Sequence, residues 1–266
     1  KFISVGGGSM GAGFLGAKYS PFVVNSDGRI RNLDMKVDQR FYQRAYALDA
    51  IETGFINQRR GSAAKEHQAI LKEAFGVLTS SQMDALKVAG EPENVKERYG
   101  NNGFGKGCLM ARRLVEAGVP FIEVNLGGWD NHQNIHPMLR DTKLPMLDQG
   151  MSALFEDLEQ RGLIDDTVVI WMGEFSRTPR INQNAGRDHW ARSWSVVVGG
   201  GGMNGGIAVG ETSSDGTRVE TEPHTSQDVM ASICKALGIS LGTTFTSNNG
   251  RPMKIANSGK IIKELF

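Results

Sequence analysis

Residues 121–132 run Phe-Ile-Glu-Val-Asn-Leu-Gly-Gly-Trp-Asp-Asn-His. An apolar, strand-like run stops at two glycines and then presents a carboxylate, Asp130, and an imidazole, His132, two residues apart. Two further segments repeat this layout. Thr167-Val-Val-Ile-Trp-Met172 leads into Gly173-Glu174, and Asp188-His189 lies just before the apolar run 194–199. Open α/β sheets place their chemistry where strands end and the chain turns sharply. Three carboxylate and imidazole clusters at strand ends therefore point to one shared metal site built from Asp130, His132, Glu174, Asp188 and His189. Mixed nitrogen and oxygen donors suit zinc, manganese or iron, whereas calcium and magnesium favour oxygen alone.

Each cluster alone has a plainer explanation. Asp130 and His132 after Gly-Gly fit an ordinary turn, and Glu174 fits an ion pair with Arg177 or Arg180. Their joint occurrence is what argues for a site. Arg177, three residues beyond Glu174, is the candidate catalytic residue, because a guanidinium binds phosphate or sulfate oxygens bidentately. The alternative is a structural ion pair with Glu174 or Asp188. His136 precedes Pro137 at a helix start and reads as a capping or exposed residue. His224 either reaches the site or packs where a helix begins. His67 reads as solvated. Ser9, in Gly6-Gly-Gly-Ser-Met-Gly11, matches neither the Walker nor the dinucleotide fingerprint, and no clear strand precedes it.

The elements that must carry these residues follow from periodicity. Residues 1–34 read as glycine-rich and irregular. Apolar residues recur at helical spacing from Val37 to Arg60, through Phe41, Ala45, Leu48, Ile51 and Phe55. Further helices are expected near 62–77, near 80–89 with Ser80 or Ser81 as cap, near 104–117 and near 138–162. The last, near 226–237, is opened by Thr225 with Asp228 three residues on, a capping-box variant. Strands are expected at 120–126, 167–172 and 194–199. The pattern predicts an α/β fold with a mostly parallel sheet and helices on both faces. The helical stretch near 36–100 reads as an insertion or a cap over the site. No internal repeat or linker divides residues 1–266, so they read as a single domain.

Composition excludes several classes of partner. With 30 basic and 29 acidic residues, nothing attracts nucleic acid or an anionic membrane. No window approaches the roughly 20 apolar residues that span a bilayer. Cys108 and Cys234 read as two buried free thiols, with a disulfide as the alternative. Lys1-Phe-Ile-Ser-Val-Gly6 shows neither an initiator Met nor a signal-peptide pattern, so the chain reads as a fragment or a processed form.

Four stretches carry a family resemblance: Ala111-Arg-Arg-Leu-Val-Glu-Ala-Gly-Val-Pro-Phe121, Gly127-Gly-Trp-Asp-Asn-His132, Gly173-Glu-Phe-Ser-Arg-Thr-Pro179 and Gly186-Arg-Asp-His-Trp190. Together they resemble the bacterial domain-of-unknown-function family 1501 across essentially the whole chain. That family is similar to the alkaline phosphatase and sulfatase superfamily, which binds one or two divalent metals at strand ends of an α/β sheet. The resemblance implies an alkaline-phosphatase-like fold in which Asp130 and His132 ligate one metal. Glu174 takes the other metal's strand-end position, and His189 returns as a ligand. Glu174-Phe175 stands where many superfamily members have Asp-His. The N-terminal strand region with which the family usually begins is expected to be missing here. The implied activity is a metal-dependent hydrolase acting on phosphate or sulfate esters, with zinc, manganese or calcium as the divalent ion. Its partner would be a small anionic ester or a sulfated or phosphorylated polymer. The alternative is a non-catalytic, metal-containing surface or polymer-binding protein of the same fold. Family members commonly carry a twin-arginine export signal, which implies a periplasmic or cell-surface setting.

Overall fold

The computed structural model describes all residues except 1, 17–18, 28–37, 59–62, 79–81 and 248. Ser80 and Ser81, the expected caps, lie outside the described residues. The chain forms two compact units, where the sequence alone was read as one domain. One comprises Lys1–Gly127 with Met146–Leu154, the other Gly128–Pro145 with Phe155–Phe266.

The first unit is organised by a strand that the sequence reading left as irregular chain. Strand β1 (Phe2–Val5) is the centre of a parallel three-stranded sheet, between β2 (Phe22–Val24) and β3 (Phe121–Val124). Ile3, Ser4 and Val5 are all buried, so the strand is covered on both faces and shows no apolar–polar alternation. Four residues ahead of a glycine run then leave little signal. Ser9 does follow a strand after all; its Oγ accepts the Gly11 N–H at 3.2 Å. Helices α1 (Gln39–Asn57) and α2 (Ala63–Leu78) form as expected. They are joined by a Phe41–Phe75 edge contact and by a His67 Nδ1–Glu52 pair. His67 is therefore not merely solvated; it partners a buried carboxylate.

The expected helix near 80–89 is two short pieces, α3 (Gln82–Ala85) and a 3₁₀ turn at Val88–Gly90. Helix α4 (Glu93–Tyr99) was not anticipated. Helix α5 (Gly103–Glu116) is capped by Asn102, whose side chain accepts the Gly105 N–H. It packs tightly on the sheet. A β-carbon on Gly107 would come 2.8 Å from Val124 Cγ1. The Arg112-Arg113 pair of the family motif is structural. Arg112 reaches Glu91 at 2.8 Å and Glu116 at 2.7 Å, while Arg113 holds Glu91 and the Ala85 carbonyl. Burial pushes the Glu91 carboxyl upward, but the two guanidiniums outweigh it and hold it below its ordinary value.

The second unit begins with α6 (Ile135–Met138) and a π turn (Leu139–Lys143) that leads into α7 (Leu144–Gln160), a helix whose middle, Met146–Leu154, belongs to the first unit. The wide turn falls where Pro145 removes the N–H that would bond the carbonyl four residues back. Strand β4 (Val168–Trp171) pairs antiparallel with β7 (Val197–Gly200). The short strands β5 (Ser176–Arg177) and β6 (His189–Trp190) pair likewise, as do β8 (Thr244–Thr246) and β9 (Pro252–Lys254). Parallel pairing thus occurs only in the three-stranded sheet among the described residues. Helix α8 (Ser226–Ala236) carries the expected capping box of Thr225 and Asp228. Cys108 and Cys234 are both buried free thiols, and burial pushes the Cys108 thiol up to about 12. Among the described residues no helix is long and apolar enough to cross a membrane.

Candidate metal centre

All the chemistry-bearing residues singled out at strand ends fall in the second unit. In the β5–β6 ribbon Arg177 pairs with His189, so the two side chains share one face. The connecting loop folds back onto the segment around His132. Gln133 bridges Ala185, Arg187 N–H reaches the Asn131 carbonyl at 3.1 Å, and Ile135 N–H reaches that of Ala185 at 2.9 Å. Asn134 and Ala185 both adopt positive φ at this crossing, 46° and 56°. For residues with a β-carbon, that conformation persists only where its surroundings impose it.

Three side chains converge. His132 Nε2 lies 2.9 Å and His189 Nε2 3.0 Å from Asp130 Oδ1. One donor atom from each residue lies within 4.8 Å of the other two. Tetrahedral zinc with bonds near 2.0–2.1 Å spaces its donors about 3.3 Å apart, and the two separations from Asp130 Oδ1 are within a few tenths of an ångström of that. Behind it, His132 Nδ1 meets Asp188 Oδ1 at 2.7 Å. A carboxylate on the far ring nitrogen fixes the tautomer and directs Nε2 toward a metal. Phe175 packs against the His189 ring at 4.7 Å and under the Arg177 guanidinium at 5.5 Å.

The electrostatics follow from these contacts. The His189 hydrogen bond holds the Asp130 carboxyl below its ordinary pKa, aided by the Arg177 charge. The Asp188 hydrogen bond raises the His132 imidazole. Asp188 is lowered in turn by His132 and then by Asn182. With Nδ1–H given to Asp188, a neutral His132 would aim a lone pair at the Asp130 carboxylate. Two acceptors at 2.9 Å repel unless a proton or a metal ion lies between them.

Of the residues expected to share the site, Asp130, His132 and His189 come together. Asp188 stands behind His132 as its orienting partner, outside the triad. Glu174 Oε1 receives Arg177 Nη2 at 3.3 Å, on the other branch of the guanidinium from Asp130. Arg177 is thus ion-paired, with Asp130 and Glu174. His136 lies in α6, and His224 directly precedes the Thr225 cap; neither belongs to the triad. Sequence reasoning missed Asn182. Its Nδ2 donates to Asp188 Oδ1 and to the His132 carbonyl, each at 3.1 Å. Its Oδ1 accepts the N–H groups of Asn184 and Gly186, each at 2.9 Å. The signal for it was weak: an Asn shortly before a glycine marks a turn, and here that turn bears on the site.

The fold and this cluster define a mixed helix-and-strand protein with a triad able to hold a metal ion. The chain belongs to the family described as Protein of unknown function (DUF1501), which it matches over residues 2–266. No curated protein matches the chain, and no solved structure does.

Proposed function

We propose that Asp130, His132 and His189 hold a divalent metal ion, and that the protein is hydrolase-like, acting on phosphate or sulfate esters. The observation that carries the reading is the convergence of two imidazole Nε2 atoms on one carboxylate oxygen, with Asp188 fixing the His132 ring from behind. Two imidazoles beside a carboxylate favour zinc or manganese over calcium, which takes oxygen ligands. Such an ion, when bound, polarises an ester oxygen and activates a nucleophile. The chain's own groups supply the remainder. Arg177 holds an anionic oxygen beside the triad, Asp188 keeps His132 in the ligating tautomer, and Phe175 shields one face from water. By the family resemblance, the fold is alkaline-phosphatase-like and the setting periplasmic or cell-surface. The engagement of Arg177 by Asp130 and Glu174 favours a second reading, a non-catalytic metal protein binding a surface or polymer.

Elemental analysis after identical dialysis of wild type and His132→Ala tests the metal site. The variant should lose metal while keeping its circular dichroism spectrum, since ligand number and type set affinity. Equal metal content in the two would remove His132 from the centre and defeat the proposal. A screen of phosphate and sulfate esters on metal-bearing wild type separates the two readings: turnover that falls with metal content supports the hydrolase.

A further inference from the structure

Three nitrogens crowd onto one oxygen of Asp130. His132 Nε2 and His189 Nε2 lie 2.9 and 3.0 Å from Oδ1, and Arg177 Nη1 donates to the same atom. Arg177 Nη2 meets Glu174 Oε1 at 3.3 Å. One guanidinium is thus shared between a carboxylate of the triad and a carboxylate outside it. A carboxylate oxygen carries two lone pairs, and the hydrogen bonds from His189 and Arg177 account for both on Oδ1. A metal ion ligated by Oδ1 has to take one of them. His189 gives up its share when its Nε2 becomes a ligand to the same ion. Arg177 has no such alternative, because a guanidinium is always charged and offers no lone pair. It stays beside the ion as a second cation.

We propose that Arg177 and a divalent metal ion are rival cations for Asp130, and that the guanidinium passes to Glu174 when a metal is bound, becoming competent for a phosphate or sulfate oxygen. This rests on the metal-centre reading above. Charge argues for it. At equal distance a divalent ion repels the guanidinium twice as strongly as the Asp130 carboxylate attracts it. Glu174 carries the same charge as Asp130, is already in contact with Arg177, and stands outside the triad. Held between two carboxylates, the guanidinium has its charge more than matched. Held by Glu174 alone, it keeps N–H donors of its planar fork for an anion. Metal and anion therefore favour one another, and by linkage each strengthens the other's binding by the same factor. Glu174 is a positioning residue in this arrangement, acting through Arg177.

The test measures zinc affinity at one pH, by competition with a chelator, for wild type, Arg177→Met, Glu174→Gln and the double variant. Arg177→Met should bind zinc roughly fivefold more tightly or better, the lower end of common couplings between sites. Glu174→Gln should weaken zinc binding where Arg177 is present and change it little in Arg177→Met, since only the guanidinium needs Glu174. A double-mutant cycle reads this non-additivity directly. An equal Glu174→Gln loss in both backgrounds would be plain charge additivity and would overturn the proposal. Weaker zinc binding in Arg177→Met would make the arginine a support for Asp130 and overturn it too. Unchanged zinc affinity in Glu174→Gln does the same, even if Arg177→Met fails to fold. Inorganic phosphate and sulfate are then titrated with and without zinc. Zinc-loaded wild type should bind at least one anion roughly fivefold more tightly than zinc-loaded Arg177→Met, whereas the two zinc-free proteins should bind both anions alike. An Arg177 contribution without zinc, or none with it, would sink the exchange. If neither wild type nor Arg177→Met binds zinc, the parent reading fails, a result visible before any anion is added.

Discussion

Gly186 packs its α-carbon against the peptide joining His132 to Gln133. A β-carbon there would fall well inside contact distance of the His132 carbonyl carbon and oxygen and of the Gln133 nitrogen. These are backbone atoms and cannot swing aside as a side-chain tip can. The glycine is needed for space at this position, and it sets how closely the loop bearing Asp188 and His189 approaches the segment bearing Asp130 and His132. Gly186→Ala should therefore force the two segments apart, destabilise the protein by roughly 2 kcal/mol or more as overpacking does, and abolish metal retention. Thermal melting and elemental analysis check it. A variant with unchanged melting temperature and metal content would show that the triad does not depend on this approach.

Asn182 does for polarity what Gly186 does for space. Its amide donates to both halves of the site, Asp188 and the His132 carbonyl, while its oxygen gathers the N–H groups of Asn184 and Gly186. Removing such an outer partner costs metal sites about 10–100-fold in affinity. Asn182→Ala should do so, with about 1–2 kcal/mol of lost stability from the unpaired groups. Asn182→Asp is the sharper variant. It keeps the acceptor but replaces the donor with a charge beside Asp188, so it should bind metal no better than the alanine variant. Competition with a metal chelator measures both, and near-wild-type affinity in Asn182→Asp would show that the donor is dispensable.

What could be read in the sequence was what is local. The Thr225–Asp228 capping box, the α1, α2, α5 and α7 helices, and the apolar runs of β3, β4 and β7 each announce themselves within a few residues. Asp130, His132 and His189 could be named because carboxylates and imidazoles after strand-like runs are unusual together. Pairing direction was not legible: β4 and β7 carry equally apolar runs whether parallel or antiparallel, and only the course of the intervening chain decides. Strand β1, buried on both faces, lacks alternation. The division of labour within the site was hidden too. Asp188 and Glu174 are the same kind of residue as Asp130, and their roles differ only through which nitrogen each one meets.

The capping box at α8 yields a prediction about acid stability, because a single carboxylate there ties two segments together. Asp228 Oδ1 accepts the Lys260 N–H at 2.7 Å, and Oδ2 accepts the Thr225 N–H at 2.7 Å and its hydroxyl at 2.8 Å. The Lys260 and Thr225 backbone donors, joined by the Thr225 hydroxyl, depress the Asp228 carboxyl from its ordinary 3.8 to about 2. The folded protein thus prefers the ionised form more strongly than the unfolded chain does. Its contribution is fully present above the unfolded value, near pH 4, and is lost as pH falls from there toward 2. Asp228→Asn retains one acceptor oxygen and so keeps only one of the two attachments. Above pH 5 the variant should be less stable by about 1 kcal/mol, the usual worth of a cap. Between pH 4 and 2 wild type should lose this advantage, and the two unfolding curves should draw together. Urea denaturation at a series of pH values measures the gap directly. A gap that stays constant or widens as the pH falls from 4 to 2 would show that the ionised carboxylate is not what joins Lys260 to the start of α8.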